Sequence, residues 1–285
     1  MTIGFIGAGK VGQSLGLLFK EQGYSISGYY SRHGKALVLD QRLSQVDIYT
    51  ELDKLVGISD VIGITVPDDQ IDRVVSELET QGIDFSEKFF FHSSGAHTVE
   101  SLKKLSNRVF SIHPLMAFPN VVSDLRSFDN IYFGIENLDV FIESGLNLKI
   151  TNYFGIQSEL KSKYHAGAAI ISNYLVAVID FGLSQFMELG LDADEAQKAI
   201  WPLVSNTLDN INILGTKKAL TGPIVRGDVG TIEAHLNALS KDLVPLYRAL
   251  GQYTLQMTNH QKLVHKKLEK LLEEDDYDKD HNINF

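Results

Sequence analysis

Cysteine is absent from the 285 residues of this sequence. Disulfide bonds, thiolate nucleophiles and cysteine-ligated metals are therefore excluded, and the composition suits a reducing cytoplasm. Basic residues are also outnumbered, because 26 Lys and Arg face 36 Asp and Glu and the formal net charge is −10. This balance argues against a nucleic-acid or acidic-membrane partner. No stretch typical of a signal peptide precedes the first apolar segment, so we expect a cytoplasmic protein.

One run, at residues 166–191, is apolar enough to resemble a membrane span. It contains the polar residues Ser172, Asn173, Asp180 and Gln185 and lacks the expected basic flanks. The run is therefore more typical of a helix that is buried on all sides within protein. Because such a helix is often shared between subunits, the sequence predicts a homodimer and no membrane partner.

The chain opens with an apolar strand that leads directly into a glycine-rich turn and a helix. Ile3, Phe5 and Ile6 have the pattern of a buried parallel strand, and Gly23 ends the helix. This context favours a βαβ dinucleotide-binding unit over a merely structural glycine turn. In such a unit the glycines let the pyrophosphate approach the free N–H groups of the helix N-terminus. The predicted cofactor-binding residues of the turn are Gly7, Ala8, Gly9, Lys10, Val11 and Gly12.

The end of the second strand distinguishes the two nicotinamide cofactors. An NAD site places Asp or Glu about 20 residues beyond the glycines to bind the ribose 2′-hydroxyl, whereas this strand ends in Tyr30, Ser31 and Arg32. A 2′-phosphate meets no repulsion there, and it can accept hydrogen bonds from the Ser31 hydroxyl and from the planar guanidinium group of Arg32. The sequence therefore predicts NADP(H). The alternative is that Arg32 is simply a solvated loop residue.

Strands and helices continue to alternate as far as residue 151, which predicts an α/β protein with a doubly wound sheet. Ligands bind outside the carboxyl ends of the strands in such sheets. We expect Val66 and Pro67, at one of these ends, to contact the cofactor. The predicted strands after the first two are 47–49, 61–66, 88–92, 109–113, 131–135 and 149–151.

From Gln157 the pattern changes to long helices without strands. We therefore expect a Rossmann-like dinucleotide-binding domain at 1–153 and a helical substrate-binding and dimerisation domain at 154–272. The acidic tail at 273–285 has a composition typical of disorder. The predicted helices of the second domain are 157–190, 192–213, 216–220 and 229–272.

A nicotinamide-dependent reduction of a carbonyl requires a proton donor. His113 follows a strand whose end faces the nicotinamide in this fold, and imidazole donates protons near neutral pH. A packed histidine before a proline turn is the alternative. On the first long helix, Lys161, His165 and Asn173 share one face because multiples of four separate them. A substrate pocket at the domain junction is favoured for His165 and Asn173 over a hydrogen bond across a dimer, whereas Lys161 is as typical of a solvated residue.

The segment 221–228 is predicted to form a rigid turn between helices. Such a turn could aim Arg226 at a substrate carboxylate in bidentate fashion, and a surface pair between Arg226 and Asp228 is the alternative. No metal site is expected, because Asp68 and Asp69 lack a third ligand at suitable spacing and are more typical of a helix start.

Motifs spread over residues 2–255 resemble those of a known family. They are GAGKVG, VPDDQI, HSSGA, IHPLMAF, YHAGAAIISNYL and LTGPIVRGDVGTIEAHL, of which the C-terminal ones are the more specific. The family pairs a Rossmann-like domain with a C-terminal domain long labelled of unknown function. It lies near ketopantoate reductases, pyrroline-5-carboxylate reductases and prephenate dehydrogenases. Some members serve as an alternative ketopantoate reductase (2-dehydropantoate 2-reductase) in pantothenate synthesis, and the resemblance implies this activity.

The resemblance also implies roles for residues of the first long helix. Ordinary ketopantoate reductases carry Lys on this helix and Asn residues four and eight positions later. His165 occupies the position of that Lys, Ala169 replaces the first Asn and Asn173 matches the second. The later catalytic Glu of those enzymes has no clear counterpart, and Asp228 and Glu233 are the nearest carboxylates. We expect Asp228 to contact the substrate together with Arg226.

Similarity to prephenate dehydrogenases bears on the proton donor. Those enzymes contact their substrate through a His-Pro pair after one strand and a Ser after the preceding strand. His113 and Pro114 match the pair, and Ser93 or Ser94 matches the serine. The resemblance therefore implies His113 as the proton donor, ahead of His165, and the two serines as substrate contacts.

Three functions compete. The favoured one is an NADPH-dependent reductase of a small 2-keto acid, most specifically ketopantoate. A second is an NADP-dependent oxidoreductase of the prephenate or pyrroline-5-carboxylate type, and the NADP-type contacts disfavour the prephenate reaction. The third is a nonenzymatic NADP(H) sensor, in which a polar pocket would be superfluous.

Overall fold

The computed structural model describes residues 1–34, 40–122, 124–146 and 152–273. Contacts between Cα atoms divide the chain into two compact units, Met1–Ala177 and Val178–Phe285. The predicted strand at 149–151 lies outside the described residues, as does the predicted tail beyond residue 273. The predicted domain boundary between residues 153 and 154 stays a prediction.

The first unit is built around an eight-stranded sheet. Its strands are β1 (Thr2–Ile6), β2 (Ser25–Tyr30), β3 (Ile48–Tyr49), β4 (Val61–Ile64), β5 (Phe89–His92), β6 (Val109–Pro114), β7 (Phe133–Glu136) and β8 (Tyr153–Gly155). Their order is β3-β2-β1-β4-β5-β6-β7-β8, and the described neighbours are parallel except for β6 and β7. The predicted doubly wound α/β fold is confirmed.

Apolar residues cover both faces of this sheet. Successive side chains of a strand point to opposite faces, so Phe5 packs in one buried cluster with Phe91 and Phe110, whereas Ile6 packs in another with Phe90. Burial of both faces is what a mainly parallel sheet requires. The helices of this part are α1 (Lys10–Glu21), α2 (Leu52–Gly57), α3 (Ile71–Glu79) and α4 (Leu138–Glu143).

The first long helix consists of three segments. α5 (Lys161–Ala169) leads into a π-helical segment, Ile170–Tyr174, and then into α6 (Leu175–Met187), within which the first unit ends. By length and composition alone, Ser158–Met187 could cross a membrane. The predicted burial on all sides is wrong for the single chain, because Ile171, Tyr174 and Val176 are 69%, 62% and 67% exposed. The predicted homodimer stays a prediction.

The second unit is helical throughout its described part. A capping box formed by Asp192 and Glu195 starts its first complete helix. The prediction of one helix over 229–272 is wrong, since three helices occupy that stretch. Leu239 adopts an extended backbone, and Pro245, which has no N–H to donate, lies in the first turn of the next helix. The helices are α7 (Ala193–Leu214), α8 (Thr216–Ala219), α9 (Pro223–Arg226), α10 (Val229–Ala238), α11 (Val244–Gln256) and α12 (Lys262–Leu272).

Candidate functional site

The glycine-rich turn joins β1 to α1. Gly7 has a φ of 114°, and a Cβ at this position would lie 2.8 Å from the carbonyl oxygen of Thr65, so the turn requires glycine there. Gly9 precedes α1, and nothing lies within 4 Å of the point where its Cβ would be. Gly12 packs so closely that a Cβ would overlap the Thr65 hydroxyl. The turn therefore leaves open space before the free N–H groups of α1, as a phosphate cradle requires.

A cleft of about 340 Å³ lies between this turn and the end of β2, and we call it the outer cleft. Arg32 is exposed there and donates from Nη2 to Oε1 of Gln70 at 3.3 Å. Arg73 and Glu77, on α3, also line the cleft, and the sequence analysis had singled out neither. Two guanidinium groups in one cleft fit a phosphate of the cofactor. The predicted cofactor residues that line it are Gly7, Ala8, Ser31, Arg32 and Val66.

Two further clefts adjoin His113 and His165. The central cleft, of about 460 Å³, brings these histidines together with predicted residues of both the cofactor and the substrate site. The helix cleft, of about 410 Å³, lies along α5 and the π-helical segment and includes Ser172 and Asn173. Both histidines line both clefts. The other predicted residues in the central cleft are Gly9, Lys10, Val11, Val66, Pro67, Ser93 and Ser94.

His113 lies near the end of β6, and its imidazole is partly buried. Its Nδ1 lies 2.6 Å from the hydroxyl oxygen of Tyr164 on α5. Burial lowers the pKa of His113 to about 4, aided by electrostatic interactions with His165 and Lys161 and opposed by Asp68. The side chain is therefore neutral near pH 7. The predicted role of His113 as proton donor therefore requires the neutral imidazole rather than an imidazolium, and this role stays a prediction.

Gly95 lies against both histidines. A Cβ at Gly95 would lie 2.7 Å from Cδ2 of His165 and 2.9 Å from Cε1 and Nε2 of His113. The missing side chain lets both rings approach the loop after β5, and their centroids are 6.0 Å apart. Gly95 belongs to the HSSGA motif, but it was not a predicted site residue. Close approach to a glycine cannot be read from the local sequence.

Ser94 has less freedom to bind substrate than the sequence predicts. Its buried hydroxyl donates to Oδ2 of Asp68 at 2.6 Å and accepts from the backbone N–H groups of Ala96 and His97 at 3.2 and 2.9 Å. These bonds fix the loop and orient Asp68, which lines the central cleft. Ser93 is only half-buried and is the more accessible of the two serines. In the described part of the chain, no three His, Asp or Glu side chains are grouped to hold a metal ion.

Lys161 is wholly buried, so its interpretation as a solvated residue is wrong. Its side chain and that of Glu136 on β7 are 0% and 1% exposed, and Nζ lies 2.7 Å from the Glu136 carboxylate. Nζ also donates to Oγ of Ser111 on β6 at 2.7 Å, and Glu136 accepts from Oγ of Ser158 at 2.7 Å. A buried ion pair with these hydrogen bonds holds α5 against the sheet. Glu136 gave no signal in the sequence, because its partner is 25 residues away.

The remaining predicted residues fall in different parts of the chain. Asn173 is exposed and lines the helix cleft. Arg226 and Asp228 belong to the second unit, whereas the three clefts consist of residues of the first. Asp228 caps α10, since it accepts from the N–H and hydroxyl of Thr231 at 3.2 and 2.7 Å, and these bonds lower its pKa. The predicted contacts of Arg226 and Asp228 with substrate stay predictions.

Two family models match successive parts of the chain. A Rossmann-like domain matches residues 1–119, and a domain of unknown function (DUF2520) matches residues 143–254. The predicted pairing of a Rossmann-like domain with a C-terminal domain of formerly unknown function is confirmed. No curated protein sequence matches the chain significantly.

Solved structures share this fold over nearly the whole chain. The protein TM1727 from Thermotoga maritima is 26% identical with a TM-score of 0.64, and the match covers 95% of this chain and 98% of that one. A candidate NADP oxidoreductase, BF3122 from Bacteroides fragilis, is 18% identical with a TM-score of 0.67 and coverage of 94% and 98%. A Plasmodium falciparum pyrroline carboxylate reductase, solved with NADP bound, is 11% identical with a TM-score of 0.58 and coverage of 96% and 98%. Residues 1–119 of the chain thus match a Rossmann-like domain, and residues 143–254 match a DUF2520 domain.

Proposed function

We propose that this protein is an NADPH-dependent reductase of a small 2-keto acid. The observation that carries the proposal is that His113 and His165 line both the central cleft, beside the glycine-rich turn, and the helix cleft. A nicotinamide in the central cleft and a small acid in the helix cleft would meet at these two imidazoles. Structures named as an NADP oxidoreductase and as a pyrroline carboxylate reductase with NADP bound support this chemistry.

The cofactor is assigned from the outer cleft. The open cradle at Gly9 accepts the pyrophosphate, and Ser31, Arg32 and Arg73 offer hydrogen bonds and positive charge to a 2′-phosphate. NADPH, when bound, supplies the hydride. The residues of the chain hold it and deliver a proton to the carbonyl oxygen.

Replacement of Arg32 tests the cofactor assignment. Arg32→Ala removes a charged donor from the 2′-phosphate and is expected to weaken NADPH binding by about 1.5 to 3 kcal/mol, while NADH binding changes little. Fluorescence titration of both cofactors measures this difference. Arg126→Ala is the matched control, because Arg126 is exposed, pairs with Asp124 and does not line the outer cleft. Equal losses for NADPH and NADH would contradict the assignment.

The substrate class follows from the helix cleft and the family resemblance. Leu115, Met116 and Ala168 give the cleft apolar surface, and Ser172 and Asn173 give it hydrogen-bonding groups. A small branched acid with a carbonyl and a hydroxyl group matches this mixture. Ketopantoate, reduced to pantoate in pantothenate synthesis, is therefore the first substrate to offer.

Reduction of a C=N bond is the second candidate. It is favoured by the neutral state of His113, because a protonated imine carries its own proton and requires none from the protein. NADPH absorbance separates the reactions. It should fall if ketopantoate or pyrroline-5-carboxylate is reduced, and it should rise if prephenate is oxidised with NADP⁺. Turnover of ketopantoate alone supports the main proposal. An NADPH-binding protein that turns over none of the three is better described as a sensor.

We also propose a homodimer formed through Ser158–Met187. Ile170, Ile171, Tyr174 and Val176 expose more than half of their surface, and together they form an apolar stretch that a second copy would cover. Light scattering should give twice the chain mass of 31.7 kDa. Val176→Glu should lower that mass, and a monomeric parent would refute the proposal.

A further inference from the structure

Tyr164 is the direct partner of His113, and the sequence analysis did not single it out. Its hydroxyl lies 2.6 Å from Nδ1, and the two rings meet edge to face with centroids 5.5 Å apart. Phe154 packs against the other side of the phenol at 5.8 Å. Gly134 on β7 leaves room for this hydroxyl, because a Cβ at Gly134 would lie 2.8 Å from the hydroxyl oxygen. Two strands and α5 therefore hold this pair in place.

The protonation states of Tyr164 and His113 limit this hydrogen bond to two directions, with either the hydroxyl or Nδ1 as the donor. Burial raises the pKa of Tyr164 to about 12 and lowers that of His113 to about 4, so both are neutral between these limits. Among the described residues, Nδ1 is the acceptor within reach of the Tyr164 hydroxyl. If the hydroxyl donates to Nδ1, the imidazole proton must reside on Nε2. Nε2 lies beside Gly95, at the loop that lines the central cleft.

We infer that Tyr164 is the terminal proton donor of the reduction and that His113 relays its proton to the substrate oxygen. The inference rests on the proposed reductase. With a hydride supplied to the carbonyl carbon by bound NADPH, the carbonyl π pair would move to oxygen, and that oxygen would take the Nε2 proton of His113. Nδ1 takes the proton of the Tyr164 hydroxyl in the same step. The products are the hydroxy acid, neutral imidazole with its proton on Nδ1, and a tyrosinate. The tyrosinate then takes the Nδ1 proton back and Nε2 takes a proton from water, which restores the starting tautomer and leaves hydroxide.

The relay avoids an unstable anion that proton donation by His113 alone would produce. A neutral imidazole that gives up its Nε2 proton without replacement becomes an imidazolate, which is much more basic than a tyrosinate. Donation by Tyr164 avoids that anion, since a phenol whose pKa burial raises to about 12 is still a stronger acid than the N–H of a neutral imidazole. Other charged or titratable groups around His113 are His165 and Lys161 on α5, Asp68 after β4 and His92 on β5. The ammonium group of Lys161 favours a transient negative charge on the pair, whereas Asp68 opposes it.

The first experiment measures the pair without cofactor or substrate. Two-bond ¹H–¹⁵N spectra of the imidazoles should show His113, assigned through His113→Gln, with its proton on Nε2 from pH 5 to pH 8. In Tyr164→Phe the Nδ1 resonance should move downfield, because the nitrogen loses its hydrogen bond. Tyr153→Phe is the control, since Tyr153 is partly exposed on β8 and packs against Phe141. A His113 proton on Nδ1 in the parent would overturn the relay.

The second experiment measures turnover. Tyr164→Phe should lower kcat about 100- to 10,000-fold, with the NADPH dissociation constant within twofold of the parent and kcat unaffected in Tyr153→Phe. Adding His113→Gln to Tyr164→Phe should cost little more, because the two residues act as one unit. An active parent whose Tyr164→Phe variant keeps kcat within threefold overturns the relay alone. A parent that reduces none of the offered substrates overturns the reductase and the relay together.

Discussion

Removal of the buried amine at Lys161 should destabilise the first unit far more than removal of any exposed lysine. In Lys161→Met, Glu136 stays 1% exposed but loses the ammonium group 2.7 Å away. The Coulomb energy at this distance is about 6 kcal/mol at an effective dielectric constant of 20. The desolvation cost that Lys161 no longer incurs offsets part of this loss. Truncation of one partner of a buried ion pair typically costs about 3 to 5 kcal/mol, which is the loss we expect.

Urea unfolding followed by circular dichroism measures this loss as a shift of the transition midpoint. Lys163→Met is the matched control, because Lys163 lies on the same helix two residues later and is exposed. Lys161→Met combined with Glu136→Gln should recover most of the stability, since the amide removes the unpaired charge and still accepts from Ser158. If the free energies of unfolding of Lys161→Met and Lys163→Met differ by less than about 1 kcal/mol, the ion pair does not hold α5 on the sheet in the way that its burial implies.

Other predictions concern the glycines and acid stability. Gly9→Val should fold normally by circular dichroism, because no atom lies within 4 Å of its Cβ position, yet it should not bind NADPH in a titration. Gly95→Ala should displace both imidazoles and lower NADPH turnover about 100-fold, whereas Gly57→Ala, with open space around it, should not. Burial lowers the pKa of His92 well below its ordinary value and lowers that of His113 to about 4. In the unfolded chain both pKa values are about 6.5. Stability should therefore be full above pH 6.5 and fall from there towards pH 4, with a smaller fall in His113→Gln.

The fold was predictable because its signals are local. β1, the glycine turn and α1 follow one another within 21 residues, and apolar periodicity alone marks β4, β5 and β6. The prediction failed where local periodicity was misleading. Residues 229–272 keep a helical pattern through two breaks, and only the backbone of Leu239 and the position of Pro245 reveal the first one.

The candidate site was predictable only in outline. His113 and His165 were found because imidazoles at a strand end and on a helix face are conspicuous in a sequence. Tyr164 and Glu136 were not found, because an aromatic residue or a carboxylate acquires its role from a partner that is 51 or 25 residues distant. Likewise, the burial of the helix that carries Tyr164 depends on what covers it, which periodicity does not specify.

The antiparallel pairing of β6 with β7 limits how this protein can change over time. It sets His113 directly opposite Gly134, with Phe133 and Ile135 on either side. A one-residue insertion or deletion within Phe133–Glu136 would reverse which side chains face each layer and would bring Phe133 or Ile135 opposite His113, against the phenol. A change of one residue in the length of this four-residue strand would therefore close the space that Tyr164 occupies. Changes of length are expected to be tolerated better in the surface helices than in this strand.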